Sequence, residues 1–368
     1  MSKEHCVNLK VLHIELGRHL YGGAKQVTYL IEALDKDNGF IQHLICATGS
    51  EISEYQFDRC TTHPIRYRGD TDLMGAKRLF DVVKRIKPDL IHVHSRRGAD
   101  IWGALAAKFT GIPAVCTRRV DNTENRFVRY KYQEYEAVIS ISDGVHKVVS
   151  KHCTNVKYQG TIHSAVDQDE YAQATNRQWL NNKFNIPQDH FVIANFSQYI
   201  PRKGQADLVL AMRDVIAKFD NVTCLLFGKG SQEKNYRSLI ESHDLDTNVK
   251  LCGFTKEVAH ILPNIDVVVH PAYAEGLGVI LLQAGMSKCA VISSPVGGIP
   301  EIIKHQETGL MVAPGDVEGI AKAITFLLTQ PKKTKKLGDA LHQHVKTHFS
   351  IKNMAHEYSV LYRKIAKG

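Results

Sequence analysis

Apolar runs of strand length alternate along the chain with longer stretches in which apolar positions recur every three or four residues. That alternation predicts parallel sheets covered by helices on both faces. In the first half the expected strands are 9–16 (LKVLHIEL), 42–48, 89–95 (DLIHVHS), 113–118, 137–142 (AVISIS) and 156–163. Between them, 24–36 places Val27, Leu30, Ile31 and Leu34 on one stripe, and 77–87 does the same with Leu79, Val82, Val83 and Ile86 while its lysines and arginines face outward. After Asp167 the pattern lapses into the polar stretch DQDEYAQATNRQWLNNKFNIPQD, which marks a domain boundary. It resumes with strands expected at 191–197, 222–227, 249–254, 266–270 and 290–294. The fold class is therefore α/β, with two doubly wound domains at 1–168 and 169–346 and a terminal helix within 347–368. In such open sheets ligands sit outside the carboxyl ends of the strands, so the strand-to-helix turns carry the candidate chemistry.

At 368 residues the chain has room for two cores of ordinary size. A hydrophobic share of 43% and a charged share of 23% exclude a disordered or collagen-like chain. No apolar run approaches the roughly 18 residues of a membrane-spanning helix, and MSKEHCVNLK lacks the apolar core of a leader, so a cytoplasmic protein is expected. The eight cysteines form no CxxC pair, which points to free thiols rather than a zinc ribbon or disulfide framework. Net charge is +9, and residues 77–131 alone carry +8. Such a field suits anionic partners, among them phosphorylated substrates or an acidic membrane surface, while solvated helix faces are the plainer reading. Nucleic acid is not expected, because no aromatic stacking motif accompanies these cations.

Three turns stand out. Gly22-Gly23 follows the first strand and opens a helix, so a ligand could approach its backbone N–H groups, although a simple tight turn reads as well. It is not GxGxxG, which argues against a nicotinamide dinucleotide. Pro201-Arg202-Lys203-Gly204 follows the first strand of the second domain and offers two adjacent cations, suited to a diphosphate or to solvent. The stretch HPAYAEGLGVILLQAG (270–285) ends a strand at His270, carries Glu275 in a small-residue loop and starts a helix at Gly276-Leu277-Gly278. Glu275 there could cap the helix or meet a ligand.

In this order, the motifs GG (22–23), PDLIHVHS (88–95), AVISISDGV (137–145), PRKG (201–204), FGKGSQ (227–232), HPAYAEGLGVILLQAG (270–285), SSPVGGIPEII (293–303) and GLMVAPGD (309–316) resemble family 4 glycosyltransferases of the GT-B fold, two Rossmann-like domains facing across a cleft. Within that family the chain is most similar to bacterial lipopolysaccharide-core sugar transferases. The resemblance implies a retaining, metal-independent hexosyltransferase, with a nucleotide sugar, UDP-linked, on the second domain and a cell-envelope glycan or glycolipid acceptor on the first. The nucleotide sugar is a substrate and no cofactor is implied. Glu275 matches the first acid of the family's E-x7-E motif, which contacts donor-sugar hydroxyls, and Gln283 stands where the second, a ribose ligand, is expected. Arg202 and Lys203 match the diphosphate-binding pair, Gly22 and Gly23 the loop facing donor phosphates and acceptor. Gly276, Leu277 and Gly278 would offer N–H groups, and Phe254-Thr255 would lie beside the base. Within this reading Glu275, Lys203 and Arg202 are the catalytic candidates, His94 and Arg119 the acceptor-side ones. The terminal helix would cross back to the first domain.

Three positions depart from the family pattern: Gln283 replaces an acid, Gln198 stands where many members have arginine, and Arg119 where many have histidine. His92 and His94 share one strand face, a spacing compatible with metal binding, but the sequence offers no obvious third ligand. Same-face attack is favoured over double displacement through Glu275, because no second carboxylate is evident near it. A nucleotide-sugar 2-epimerase and a non-catalytic nucleotide-sugar-binding protein are the functional alternatives.

Overall fold

The computed structural model describes residues 8–37, 39–96, 98–122 and 128–367. It divides into two units, the first running through Ala165 and resuming from Ile351, the second spanning Val166–Ser350. The division falls at 165/166 and 350/351 instead of after 168 and 346. Val166 and Ser350 bridge each other in parallel, and the Val166 amide donates to the Phe349 carbonyl at 3.0 Å, so both crossing points belong to the second unit. The polar stretch after the boundary is not a loop: it forms the helices Gln168–Tyr171 and Arg177–Phe184, capped by Asp167 and Asn176.

The first unit is a seven-stranded parallel sheet. Its strands are β1 (Leu9–Glu15), β2 (Phe40–Ala47), β3 (Thr61–Ile65), β4 (Leu90–Val93), β5 (Ala114–Arg118), β6 (Ala137–Ser140) and β7 (Tyr158–Thr161), in the spatial order 3-2-1-4-5-6-7. β1 and β4 are buried at nearly every position, as expected of strands covered on both faces. Helix α1 (Gly22–Asp35) buries Val27, Leu30, Ile31 and Leu34 as its stripe predicts. Helix α2 (Leu73–Ile86) starts a turn earlier than the stripe alone indicates, because the Asp72 carboxylate accepts from the Gly75 amide and caps it. Helix α3 (Ala99–Thr110) follows β4. The terminal helix Ile351–Ala366 belongs to this unit and buries Met354, Tyr358 and Tyr362 in a core shared with Val11, Leu90 and Val115.

The second unit is a six-stranded parallel sheet of β8 (Phe191–Phe196), β9 (Val222–Phe227), β10 (Val249–Gly253), β11 (Val267–His270), β12 (Ala290–Ser293) and β13 (Leu310–Met311), in the order 10-9-8-11-12-13. In both sheets the strand order reverses once beside the first strand of the unit: β1 meets β4 in one, β8 meets β11 in the other. These reversals open a crevice at the carboxyl ends of the strands, and the candidate residues cluster there. Among the described residues no helix is long and apolar enough to cross a membrane.

Candidate active site

In the second unit β8 delivers the turn Pro201–Lys203 and β11 delivers His270 and Glu275. Gly204 has φ +70°, and a Cβ there would stand 2.0 Å from the Pro271 carbonyl oxygen, so only glycine lets the two loops lie this close. The Tyr273 amide donates to the Arg202 carbonyl at 2.9 Å and ties them together. Gly297 makes a second such approach, φ +54°, with its hypothetical Cβ 1.6 Å from the Glu275 carbonyl oxygen.

Held between these loops, the Glu275 carboxylate is the centre of a charged cluster. Its Oε2 accepts from Lys203 Nζ at 2.6 Å and lies 2.9 Å from His270 Nε2, while Oε1 accepts from the Gly276 amide at 3.0 Å. Burial alone would raise its pKa, but the bond and charge of His270 and of Lys203 outweigh that, holding the carboxyl well below the usual carboxylate range. The capping alternative for Glu275 does not hold, since the helix Val279–Met286 starts from Gly278 at φ +90° with no side-chain cap. Lys203, only 8% exposed, is a paired cation and not a free one. Gly276, Leu277 and Gly278 are buried at the helix start, and Gln283 sits partly exposed on that helix. Phe254 is exposed under the Lys229 ammonium, 5.0 Å from its ring centre, with Thr255 beside it. His270 had no assigned role from sequence; its place five residues before Glu275, at the strand end, was the available signal.

The first unit assembles a different constellation. His13 on β1 pairs in register with His92 on β4, and His94 follows two residues on, so three imidazoles share one face. This is the third histidine that sequence reasoning missed, and only the β1–β4 pairing reveals it. Their ring nitrogens lie within 4.8 Å of one another, the grouping of a possible metal site. Those nitrogens are, however, spent on hydrogen bonds. His13 Nδ1 is 2.9 Å from His94 Nε2, whereas two imidazoles ligating one zinc at about 2.0–2.1 Å would hold their nitrogens roughly 3.3 Å apart. His92 bonds Tyr362 through Nδ1 and Thr117, at 2.7 Å, through Nε2. Burial pushes His13 down to about 4, and His92 and His94 well below their ordinary value, so all three are neutral at neutral pH.

The protons on His13 and His94 can be placed by elimination. The Gln42 amide nitrogen donates to the Ile31 carbonyl, at 2.8 Å, and to the Asp35 carboxylate, which leaves its oxygen to accept from His13 Nε2. His13 Nδ1 must then accept from His94 Nε2, and His94 Nδ1 accepts from Arg119 Nη2 at 3.4 Å. The structure thus brings the two acceptor-side candidates together. Gly23 joins them, its hypothetical Cβ 3.1 Å from Arg119 Cδ, while Gly22 opens α1 with nothing within 4 Å of the same position.

The basic segment 77–131 is less uniform than its charge suggests. Arg118 is buried, Lys131 pairs with Asp100 at 2.6 Å and Lys108 with Glu134 at 2.7 Å, while Lys77, Lys84 and Arg85 stay exposed on α2. Arg97, Glu124 and Arg126 of that segment lie outside the described residues.

Both constellations lie at the carboxyl ends of doubly wound sheets, where such folds bind their ligands. The first unit matches the profile described as Glycosyltransferase Family 4 over residues 21–170, and the second the profile described as Glycosyl transferases group 1 over 176–344. The chain belongs to the family 4 glycosyltransferases of the GT-B fold. It is 24% identical to the capsular polysaccharide biosynthesis glycosyltransferase CapM of Staphylococcus aureus, over 95% of this chain and 97% of that one. It is 23% identical to the UDP-Gal:alpha-D-GlcNAc-diphosphoundecaprenol alpha-1,3-galactosyltransferase of Escherichia coli, over 88% and 89% of the two chains. Among solved structures, a glycosyltransferase from Rickettsia africae ESF-5 superposes with a TM-score of 0.86 at 20% identity, covering 98% of this chain and 99% of the other.

Proposed function

We propose that the protein moves a hexose from a UDP-linked donor, with retention of anomeric configuration, to a hydroxyl of a lipopolysaccharide-core or other cell-envelope glycan or glycolipid. The observation that carries this reading is the Lys203–Glu275–His270 cluster at the strand reversal of the second sheet. As the donor's C–O bond lengthens, negative charge grows on the leaving diphosphate. Lys203, Arg202 and the N–H groups at the start of the helix Val279–Met286 stabilise that charge more in the transition state than in the ground state. Glu275, held ionised by its partners, accepts hydrogen bonds from donor-sugar hydroxyls. A carboxylate this strongly stabilised is a poor nucleophile, which favours same-face attack with the departing phosphate oxygen taking the acceptor proton. The relatives support the donor and acceptor classes: one is described by a UDP-galactose donor and a lipid diphosphate acceptor, another by capsular polysaccharide synthesis.

The reaction in this reading needs no metal or cofactor, and the first unit rests weakly on an anionic membrane surface. Leu73 and Met74 at the start of α2 are 70% and 60% exposed, with Lys77 one turn on and Lys84 and Arg85 at the far end of the same helix, so an apolar tip and exposed cations share one element. Incubation with a panel of labelled UDP- and GDP-sugars tests the function. Slow release of free sugar, surviving EDTA, is expected. A new epimer would indicate the isomerase instead, and binding without turnover the non-catalytic alternative.

A further inference from the structure

Arg119 is a cation with no ion-pair partner in contact among the described residues. The one hydrogen bond its guanidinium makes there is the 3.4 Å contact to His94, and its Nε is buried with no hydrogen-bond partner among them. The acid that influences it, Glu15, is itself 3% exposed and already accepts from the Gly17 amide at 2.7 Å. The side chain is half-buried with its Nε wholly shielded, and a guanidinium left in this state costs free energy that an anionic ligand would relieve.

The surroundings say what kind of ligand. The proton order derived above makes His94 Nδ1 an acceptor, so the histidine chain anchors one N–H of Arg119 and leaves the others of the fork unspent. The chain is neutral and cannot balance the charge. On the other side lies the first turn of α1, whose cap residue Tyr21 makes no side-chain cap bond and whose first turn holds no acid. Both features draw an anion, and the planar fork suits a carboxylate or phosphate above a hydroxyl.

We propose that Arg119 takes an anionic group of the substrate held by the first unit, a carboxylate or a phosphate distinct from the donor diphosphate. This rests on the transferase reading and narrows its acceptor or its sugar to an acidic one. The test is ring 15N NMR of His94 in the full-length protein, titrated with inorganic phosphate, with D-glucuronate and with D-glucose as the neutral control. A saturable shift with either anion, absent with glucose and lost in Arg119→Met, is expected; Arg119→Lys should retain a weaker response. Phosphate alone would indicate a phosphorylated substrate, glucuronate alone an acidic sugar, and both a site for either. A response to glucose of equal size, one that survives in Arg119→Met, or none to either anion would overturn the proposal. UDP calorimetry on the same samples reports folding and the second unit separately. A protein that binds UDP yet shows no anion response loses this inference and not the transferase reading.

Discussion

The two strand reversals are built alike in backbone and oppositely in charge. In the second unit Lys203 and His270 both bond the Glu275 carboxylate within 2.9 Å, so its charge is met before any substrate arrives, while among the described residues His270 Nδ1 is buried without a partner. In the first, three neutral histidines end on an arginine that makes no ion pair among the described residues. A closed cluster can order its groups for a reaction that moves charge, because each partner is already held at the geometry it needs. An open one selects for charge, because binding a neutral group leaves its cost unrelieved. In the proposed reading the same doubly wound frame carries chemistry on one sheet and discrimination on the other.

The sharpest way to break that contrast is at Glu275. Glu275→Gln keeps the size and some hydrogen bonding while removing the charge, and turnover should fall on the order of a hundred- to a thousandfold. Glu275→Ala should abolish transfer, but it leaves Lys203 without its carboxylate, so the glutamine variant separates chemistry from stability more cleanly. Steady-state kinetics on folded variants decide this, and near-normal turnover would remove the carboxylate from the mechanism.

A second effect belongs to the neutral histidines. A histidine whose folded pKa lies below its unfolded value makes the unfolded chain bind more protons between the two, so stability falls as pH drops through that interval. For His13 the interval runs from 6.5 down to about 4. The loss should reach roughly 3 kcal/mol for this residue by the lower end and level off below it. His92 and His94 act in the same direction. Glu275, whose pKa is also depressed, acts in the same direction but lower on the pH scale: its stabilisation is complete well above its ordinary value of 4.5 and is lost only at more acid pH. Urea unfolding from neutral pH to about pH 4 should therefore show a decline beginning near 6.5, and a flat profile would mean the imidazoles are not buried neutral.

The smallest expected effect is at Gln283. An amide facing a ribose makes neutral hydrogen bonds where a carboxylate would make charge-assisted ones, so Gln283→Glu should tighten UDP or GDP binding by about 1 kcal/mol. Gln283→Ala should weaken it slightly without loss of stability. Unchanged affinity in both variants would make Gln283 a packing residue of its helix.

The closed cluster was largely legible in the sequence and the open one was not, for a physical reason. Pro201-Arg202-Lys203-Gly204 and the loop around Glu275 are contiguous motifs at strand ends, and apolar periodicity alone places those ends. What escaped was the pairing: that Lys203 spends its charge on Glu275, and that His270 shares it, depends on side-chain reach between loops. In the first unit the chain of His13, Gln42, His94 and Arg119 draws on β1, β2, β4 and the end of β5, and only strand order and register bring them onto one face. Two strands were also unread. β3 carries Pro64 and His63 and survives as an edge strand, where a missing N–H is tolerated, and β13 is only two residues long. Both lie outside the run of buried aliphatic residues that made the other strands visible.

The most direct test sets the two regions against each other in one experiment: calorimetric titration of UDP into the wild type, Lys203→Ala and Arg119→Met. Loss of a charge-assisted bond to the diphosphate should weaken the Lys203 variant about tenfold or more, while Arg119→Met should stay within about twofold of the wild type. If Arg119→Met loses UDP affinity and Lys203→Ala keeps it, the donor diphosphate belongs to the open site and the division of labour between the two sheets is wrong.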